Sequence, residues 1–116
     1  GGAILNGGTC NLLNNHFIEN TSEYGGAIIN FGKINIDHAD FTKNSCKNEG
    51  GAINHQSNEE STLRKCEFKY NISQNGGAIS KLENKSLKLK DCAFKENKPN
   101  EIGIIETRFI VDKPDN

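Results

Sequence analysis

Two short motifs recur in phase along this chain and leave few folds open to it. Gly-Gly-Ala-Ile begins at Gly1, Gly25, Gly50 and Gly76, so successive copies are 24, 25 and 26 residues apart. Phe-x-x-Asn keeps step with it at Phe17/Asn20, Phe41/Asn44, Phe68/Asn71 and Phe94/Asn97. Each of the three later Gly-Gly pairs follows the preceding Phe by 8 or 9 residues. Two unrelated motifs holding phase over four cycles define a repeat protein, in which each unit buries its apolar face against its neighbours. Stacking also explains how 116 residues with only 34% hydrophobic content form a fold, since no large central core is needed.

The second repeat shows the path of the chain most clearly. From Lys33 to Asp37 the residues alternate, with Ile34 and Ile36 on one side and Lys33, Asn35 and Asp37 on the other, which predicts a half-buried strand. Seven, five and two positions before each Phe stand Cys10, Leu12 and Asn15, then Ile34, Ile36 and Ala39, then Ser61, Leu63 and Cys66, then Leu87, Leu89 and Cys92. Mostly apolar residues thus return at equivalent places, as a stacked interior requires. The Asn closing each Phe-x-x-Asn carries both donors and an acceptor. Identical Asn residues about 4.8 Å apart can therefore bond up and down a ladder at a turn. The paired glycines accept positive φ and let the backbone turn a tight corner, after which Ala and Ile start the next strand.

A path of 24–27 residues with about three short strands and three corners predicts one turn of a right-handed parallel β-helix. The chain is therefore expected to be all-β, with four coils in residues 1–101. Residues 102–116 are expected to form a divergent last coil, a cap or the start of a linker. There Ile102-Gly103-Ile104-Ile105 replaces the motif, and Arg108-Phe109-Ile110-Val111 adds a strand-like run. Coils three and four carry extra polar residues near Gln56–Glu60 and Glu83–Lys85, which should bulge outward as loops. A leucine-rich repeat is the rival solenoid, suggested by Leu87-x-Leu89-x-x-Cys92. Its helical segment, however, would have to contain the Gly-Gly corner, and its leading Leu-x-x-Leu is missing from every copy.

With both motifs placed, residues 1 to about 105 resemble the repeats of chlamydial polymorphic outer-membrane proteins, which pair Gly-Gly-Ala-Ile with Phe-x-x-Asn. They are similar also to adhesin-like surface proteins of methanogenic archaea and to repeat proteins of some protists. The resemblance implies a right-handed β-helix displayed outside the cell, often as an autotransporter passenger or a stalk, acting in adhesion. No translocating β-barrel is present in this sequence, so the resemblance does not fix a secretion route.

Fourteen basic and fifteen acidic residues are spread along the chain for a net charge of −1, which shows no basic stripe and argues against nucleic acid as a partner. No apolar run is long enough to span a bilayer, and no leader of the signal-peptide type is visible. The chain starts inside a repeat motif and is expected to be part of something longer. Cys66 and Cys92 occupy one place in successive coils, about 4.8 Å apart and so within disulfide range. A buried column of small residues, with Ala39 in the same place, accounts for them as free thiols. Cys46 fills a slot taken elsewhere by Ser22 and Ser73, and Cys10 an interior row with Ile34 and Leu87. No Cys-x-x-Cys pair suggests zinc.

His16, His38 and His55 fall at different phases, so they should not cluster. His16 and Asp40, each just before its Phe, should be neighbours on the solvated outer face rather than a catalytic pair. Lyases and hydrolases on this fold need several carboxylates or bases converging on a groove. Only Asp37 and Asp40 come close to that here. Three glycosylation patterns occur, at Asn20, Asn71 and Asn84, and only Asn84 lies in an expected loop.

No catalytic, cofactor-binding or metal-ligating residue is expected. The sequence predicts a non-catalytic extracellular segment at a cell surface, acting in adhesion or as a stalk. Its partner would be a host or neighbouring cell surface, met through many repeated weak contacts. The alternative is a structural subunit self-associating through its coil ends into a fibre or sheath, since open strand edges template further pairing. Carbohydrate binding ranks below both, for want of Trp and with only Tyr24 and Tyr70.

Overall fold

The computed structural model of the chain describes residues 1–105. The strand-like run at Arg108–Val111 lies outside the described residues. Within them the chain forms strands and turns without a helix: β1 (Ile4–Asn6), β2 (Thr9–Ile18), β3 (Thr21–Tyr24), β4 (Ile28–Asn30), β5 (Lys33–Thr42), β6 (Ser45–Glu49), β7 (Ile53–His55), β8 (Ser61–Arg64), β9 (Glu67–Lys69), β10 (Ile79–Leu82), β11 (Leu87–Lys90), β12 (Ala93–Lys95) and β13 (Ile102–Ile105). Every pairing is parallel and joins equivalent strands of successive coils, which makes the fold a parallel β-helix of about four turns. The first sheet is β1-β4-β7-β10-β13. In the second, β2 pairs with β5, and β5 pairs with β8 and β9, to which β11 and β12 add. β3 and β6 form the third, extended by single bridges from Ser45 to Ile72 and from Ile72 to Lys98.

Each corner is turned by one left-handed residue per coil. The first stands three places before the Phe, at Asn14, His38, Lys65 and Asp91, with φ of 57°, 60°, 53° and 56°. In β2 and β5 it bends a continuous strand; in coils three and four it divides the strand in two. The second corner stands two places after the Phe, at Glu19, Lys43, Tyr70 and Glu96. The third is glycine, with φ of 63° at Gly25, 80° at Gly50 and 72° at Gly76.

The two glycines of a pair answer different demands. At Gly50 the backbone is left-handed, where a side chain would be strained. A Cβ at Gly50 would in addition strike the Ile53 carbonyl. At Gly51 space alone is the demand. A Cβ there would strike the Gly77 carbonyl and the backbone of Ile72.

Phe-x-x-Asn is a single device. The Asn44 amide donates to the Phe17 carbonyl (2.9 Å) and to Asn71 Oδ1 (3.0 Å), while Asn44 Oδ1 accepts from the backbone N–H and the Nδ2 of Asn20 (both 3.0 Å). Asn71 repeats the set with Phe41 and Asn97. The expected ladder is present, and it also satisfies the carbonyls of Phe17, Phe41 and Phe68 just before the second corner. The phenyl rings stack with centroids 4.8, 4.7 and 5.0 Å apart and planes within 9° of parallel. Ile28, Ile53 and Ile79 face them from the first sheet, with Ile34, Ile36 and Leu63 beside them. Ser61 is polar and wholly buried in one of these rows, where its hydroxyl accepts the Ile34 N–H at 2.9 Å.

Candidate functional site

An inward and an outward set of rows divide the chemistry of this molecule. The inward set holds a second polar ladder beside the phenyl stack, five places after the first glycine of the first three motifs, where the fourth has Lys81, and closed by Ser86 from the coil-four loop. Asn6 Nδ2 donates to Asn30 Oδ1 (2.8 Å), Asn30 Nδ2 to His55 Nδ1 (3.0 Å), and His55 Nε2 to Ser86 Oγ (3.0 Å). The Ser86 hydroxyl contacts the Ser57 carbonyl at 2.8 Å. Because Asn30 supplies a donor, His55 Nδ1 must be the acceptor and Nε2 carries the proton. His55 has no exposed surface, and burial, with the Lys81 ammonium adding to it, lowers its pKa to about 4. It is a neutral structural imidazole.

His16 and Asp40 meet on the outer face as expected, with His16 Nδ1 2.8 Å from Asp40 Oδ2. His16 is 70% exposed. Partial burial pushes the Asp40 carboxyl up, but hydrogen bonds from His16 and Thr42 outweigh it and hold the group below its ordinary value. The order of contacts is wrong for nucleophilic catalysis. Thr42 Oγ1 donates to Asp40 Oδ1 (2.8 Å), so the carboxylate sits between hydroxyl and imidazole and no base contacts the hydroxyl. Asp37 is engaged by His38 (2.7 Å) and Arg64 (3.4 Å) on the same face. Imidazoles 16 and 38 hold separate carboxylates and 55 is internal, so the three do not converge.

The four thiols are unbonded. Cys66 and Cys92 lie one above the other, Ala93 N–H donating to the Cys66 carbonyl at 3.0 Å, and their column continues upward to Ala39 and Asn15. The hydrogen bond shared with Cys92, together with burial, pushes the Cys66 thiol up. Burial does the same to Cys46. Among the described residues no group of three His, Cys, Asp or Glu side chains is placed to hold a metal ion.

The two polar insertions stack as loops on one side. Asn84 Nδ2 donates to Asn58 Oδ1 (2.9 Å) while its Oδ1 accepts the Ser86 N–H (2.9 Å), so the amide expected to be open to glycosylation is engaged at both ends. Asn71 is fully buried, as its ladder role requires.

Outward rows differ from coil to coil. Leu13, Asp37, Arg64 and Lys90 form one column; Ile18, Thr42, Lys69 and Lys95 form another. Along the chain the charges look evenly scattered. The register gathers cations onto coils three and four, a feature that overall charge and linear spacing both hide.

Residues 39–56, which run from the second Phe-x-x-Asn through the third Gly-Gly-Ala-Ile, match the Chlamydia polymorphic membrane protein repeat. No curated protein and no solved structure matches the chain.

Proposed function

We propose that this chain is a non-catalytic β-helix segment of an extracellular cell-surface protein, acting in adhesion or as the stalk of an adhesin-like protein. The observation that carries the reading is the contrast between the two faces of every strand. Inward positions repeat Phe, Asn, Ala and Ile through successive coils, while most outward positions change from the first coil to the last. Such a scaffold keeps its backbone fixed and leaves its surface free to meet a partner. The match of one repeat to a membrane-protein repeat of Chlamydia supports a surface setting. The order Thr42–Asp40–His16 supports the absence of catalysis.

Beads coated with the purified chain should adhere to cultured cells above albumin-coated beads, and free chain should compete. Equal adherence of the two bead types would sink the adhesive role. Sedimentation velocity over a concentration series, with negative-stain images, should give a single small species. Filaments of uniform width growing with concentration would replace this reading with end-to-end stacking into a fibre.

A further inference from the structure

The outer face of the second sheet changes character between coils two and three. Coil one presents Leu13, His16 and Ile18 and coil two Lys33, Asp37 and Asp40, whereas coils three and four present Arg64, Lys65, Lys69, Lys88, Lys90 and Lys95 against Glu67 and Asp91. Two pairs of these cations occupy directly adjacent places in register, Arg64 beside Lys90 and Lys69 beside Lys95. Like charges at paired positions repel, so the arrangement works against the fold that holds it. Arg64, Lys69 and Lys88 each have a carboxylate, at 3.4, 3.3 and 2.6 Å. Among the described residues Lys90 and Lys95 form no ion pair. Lys95 lies instead over the Tyr70 ring, 5.7 Å from its centroid. The ring, 37% exposed and at a left-handed corner, borders a depression of about 280 Å³ whose charged lining is Lys69, with its partner Glu67, and Lys95.

We infer that this half of the face binds a linear polysaccharide carrying sulfate or carboxylate groups. Its acid groups lie on the Arg64/Lys90 and Lys69/Lys95 pairs, and a sugar ring lies against Tyr70. This deepens the cell-contact reading and rests on it for its biological setting. Five positions separate the two pairs along the strand, at most about 17 Å of chain. Glu67 and Asp91 stand between the pairs, so a linear polyanion is held at two separate places on the face. A nucleic-acid strand would want more aromatic platforms than the one tyrosine. One tyrosine is too little for a neutral glycan, so charge supplies most of the affinity.

The test measures binding of the purified chain to immobilised dextran sulfate, polygalacturonate and unmodified dextran across a salt series, with single-stranded oligonucleotide as a fourth probe. Binding is expected to dextran sulfate, polygalacturonate or both, and not to dextran; which of the two is held tells sulfate from carboxylate. The double variant Lys90→Gln/Lys95→Gln should lose about tenfold or more at ~0.15 M salt and flatten the salt dependence by about two in log–log slope. The control Lys33→Gln/Lys43→Gln, on coil two, should change binding by less than about twofold. Tyr70→Ser should weaken binding about threefold with the slope unchanged.

Absence of binding to both acidic polymers, equal binding to dextran, or equal losses from the two double variants would overturn the inference. Tighter binding of the oligonucleotide, lost with Lys90 and Lys95, would make nucleic acid the partner instead. Cell adherence unaffected by soluble dextran sulfate and polygalacturonate would leave the adhesive reading standing and remove this one. Polysaccharide binding without cell adherence would do the reverse.

Discussion

Asn44 illustrates how much a single side chain carries in this fold. Its amide meets Asn20, Asn71 and the Phe17 carbonyl, so Asn44→Leu orphans groups on both neighbouring coils. The loss should be about 3 kcal/mol, read as a lowered urea midpoint, because each buried group left unpaired costs about 1–3 kcal/mol. His55 gives a pH signature. Its pKa falls from 6.5 to about 4 on folding, so the unfolded chain binds the proton more readily. Its contribution is complete above pH 6.5, declines as pH falls, and is gone once pH drops below about 4. The full loss amounts to about 3 kcal/mol. Urea unfolding at pH 7.5 and 4.5 should show most of this difference, and His55→Asn should flatten it. The carboxyls of Asp37 and Asp40, held below their ordinary values, lose their stabilising contribution at lower pH, whereas the Gly1 amine, lowered by burial, and the Cys92 thiol, lowered by its hydrogen bond with Cys66, titrate inside the window, so the part that His55→Asn removes is the His55 share. By contrast His16→Ala should change stability by less than about 0.5 kcal/mol, since an exposed ion pair contributes little. The Phe-x-x-Asn ladder was legible because residue identity repeats. The His55 ladder was not, because Asn6, Asn30 and His55 keep hydrogen-bonding capacity while changing letter, and Ser86 joins them from a different place in its coil.

The elements of each coil are set by their corners, and two of the three could be read in advance, the Asn of Phe-x-x-Asn marking the second, beside Glu19, Lys43, Tyr70 and Glu96. Gly-Gly announces itself. The left-handed places at Asn14, His38, Lys65 and Asp91 share no residue type, and each is held by the stacked strands around it rather than by its own preference. This is why β2 and β5 run through a bend that the alternating pattern from Lys33 to Asp37 predicts as a strand end. The division of labour in the glycine pair yields a further prediction. Gly51→Ala should destabilise by about 3 kcal/mol or prevent folding, because the methyl has only backbone to displace. Gly7→Ala, with nothing within 4 Å of the added carbon, should shift the midpoint by less than about 0.5 kcal/mol. Equal effects at the two positions would show that space is not what Gly51 supplies. The polar loops at Gln56–Glu60 and Glu83–Lys85 were foreseen from the extra length and polarity of coils three and four. That Ser57 and Ser86 would turn inward to end a buried ladder was not, since small polar residues in a loop carry no sign of their direction.

For the molecule as a whole, stability should scale with the number of coils in contact. Excising residues 25–49 removes one full period and joins Tyr24 to Gly50, an equivalent of the natural Tyr24–Gly25 junction. Phe17 then meets Phe68 and Asn20 meets Asn71. The shortened chain should keep its far-UV spectrum and unfold with a smaller denaturant slope, while excising 25–44, which is out of period, should not fold. The sequence disclosed the stack and its period, but the surface emerged only once strands were laid in register, since Lys90 and Arg64 are far apart in the chain and adjacent in space. Both ladders, moreover, hand their protons on in the same sense. Asn20 gives to Asn44, Asn44 to Asn71 and Asn71 to Asn97, just as Asn6 gives to Asn30, Asn30 to His55 and His55 to Ser86. The column is therefore an arrow rather than a bar. One end offers acceptors and the other donors, so a coil laid on it upside down finds like facing like, and growth of such a rod has a built-in direction.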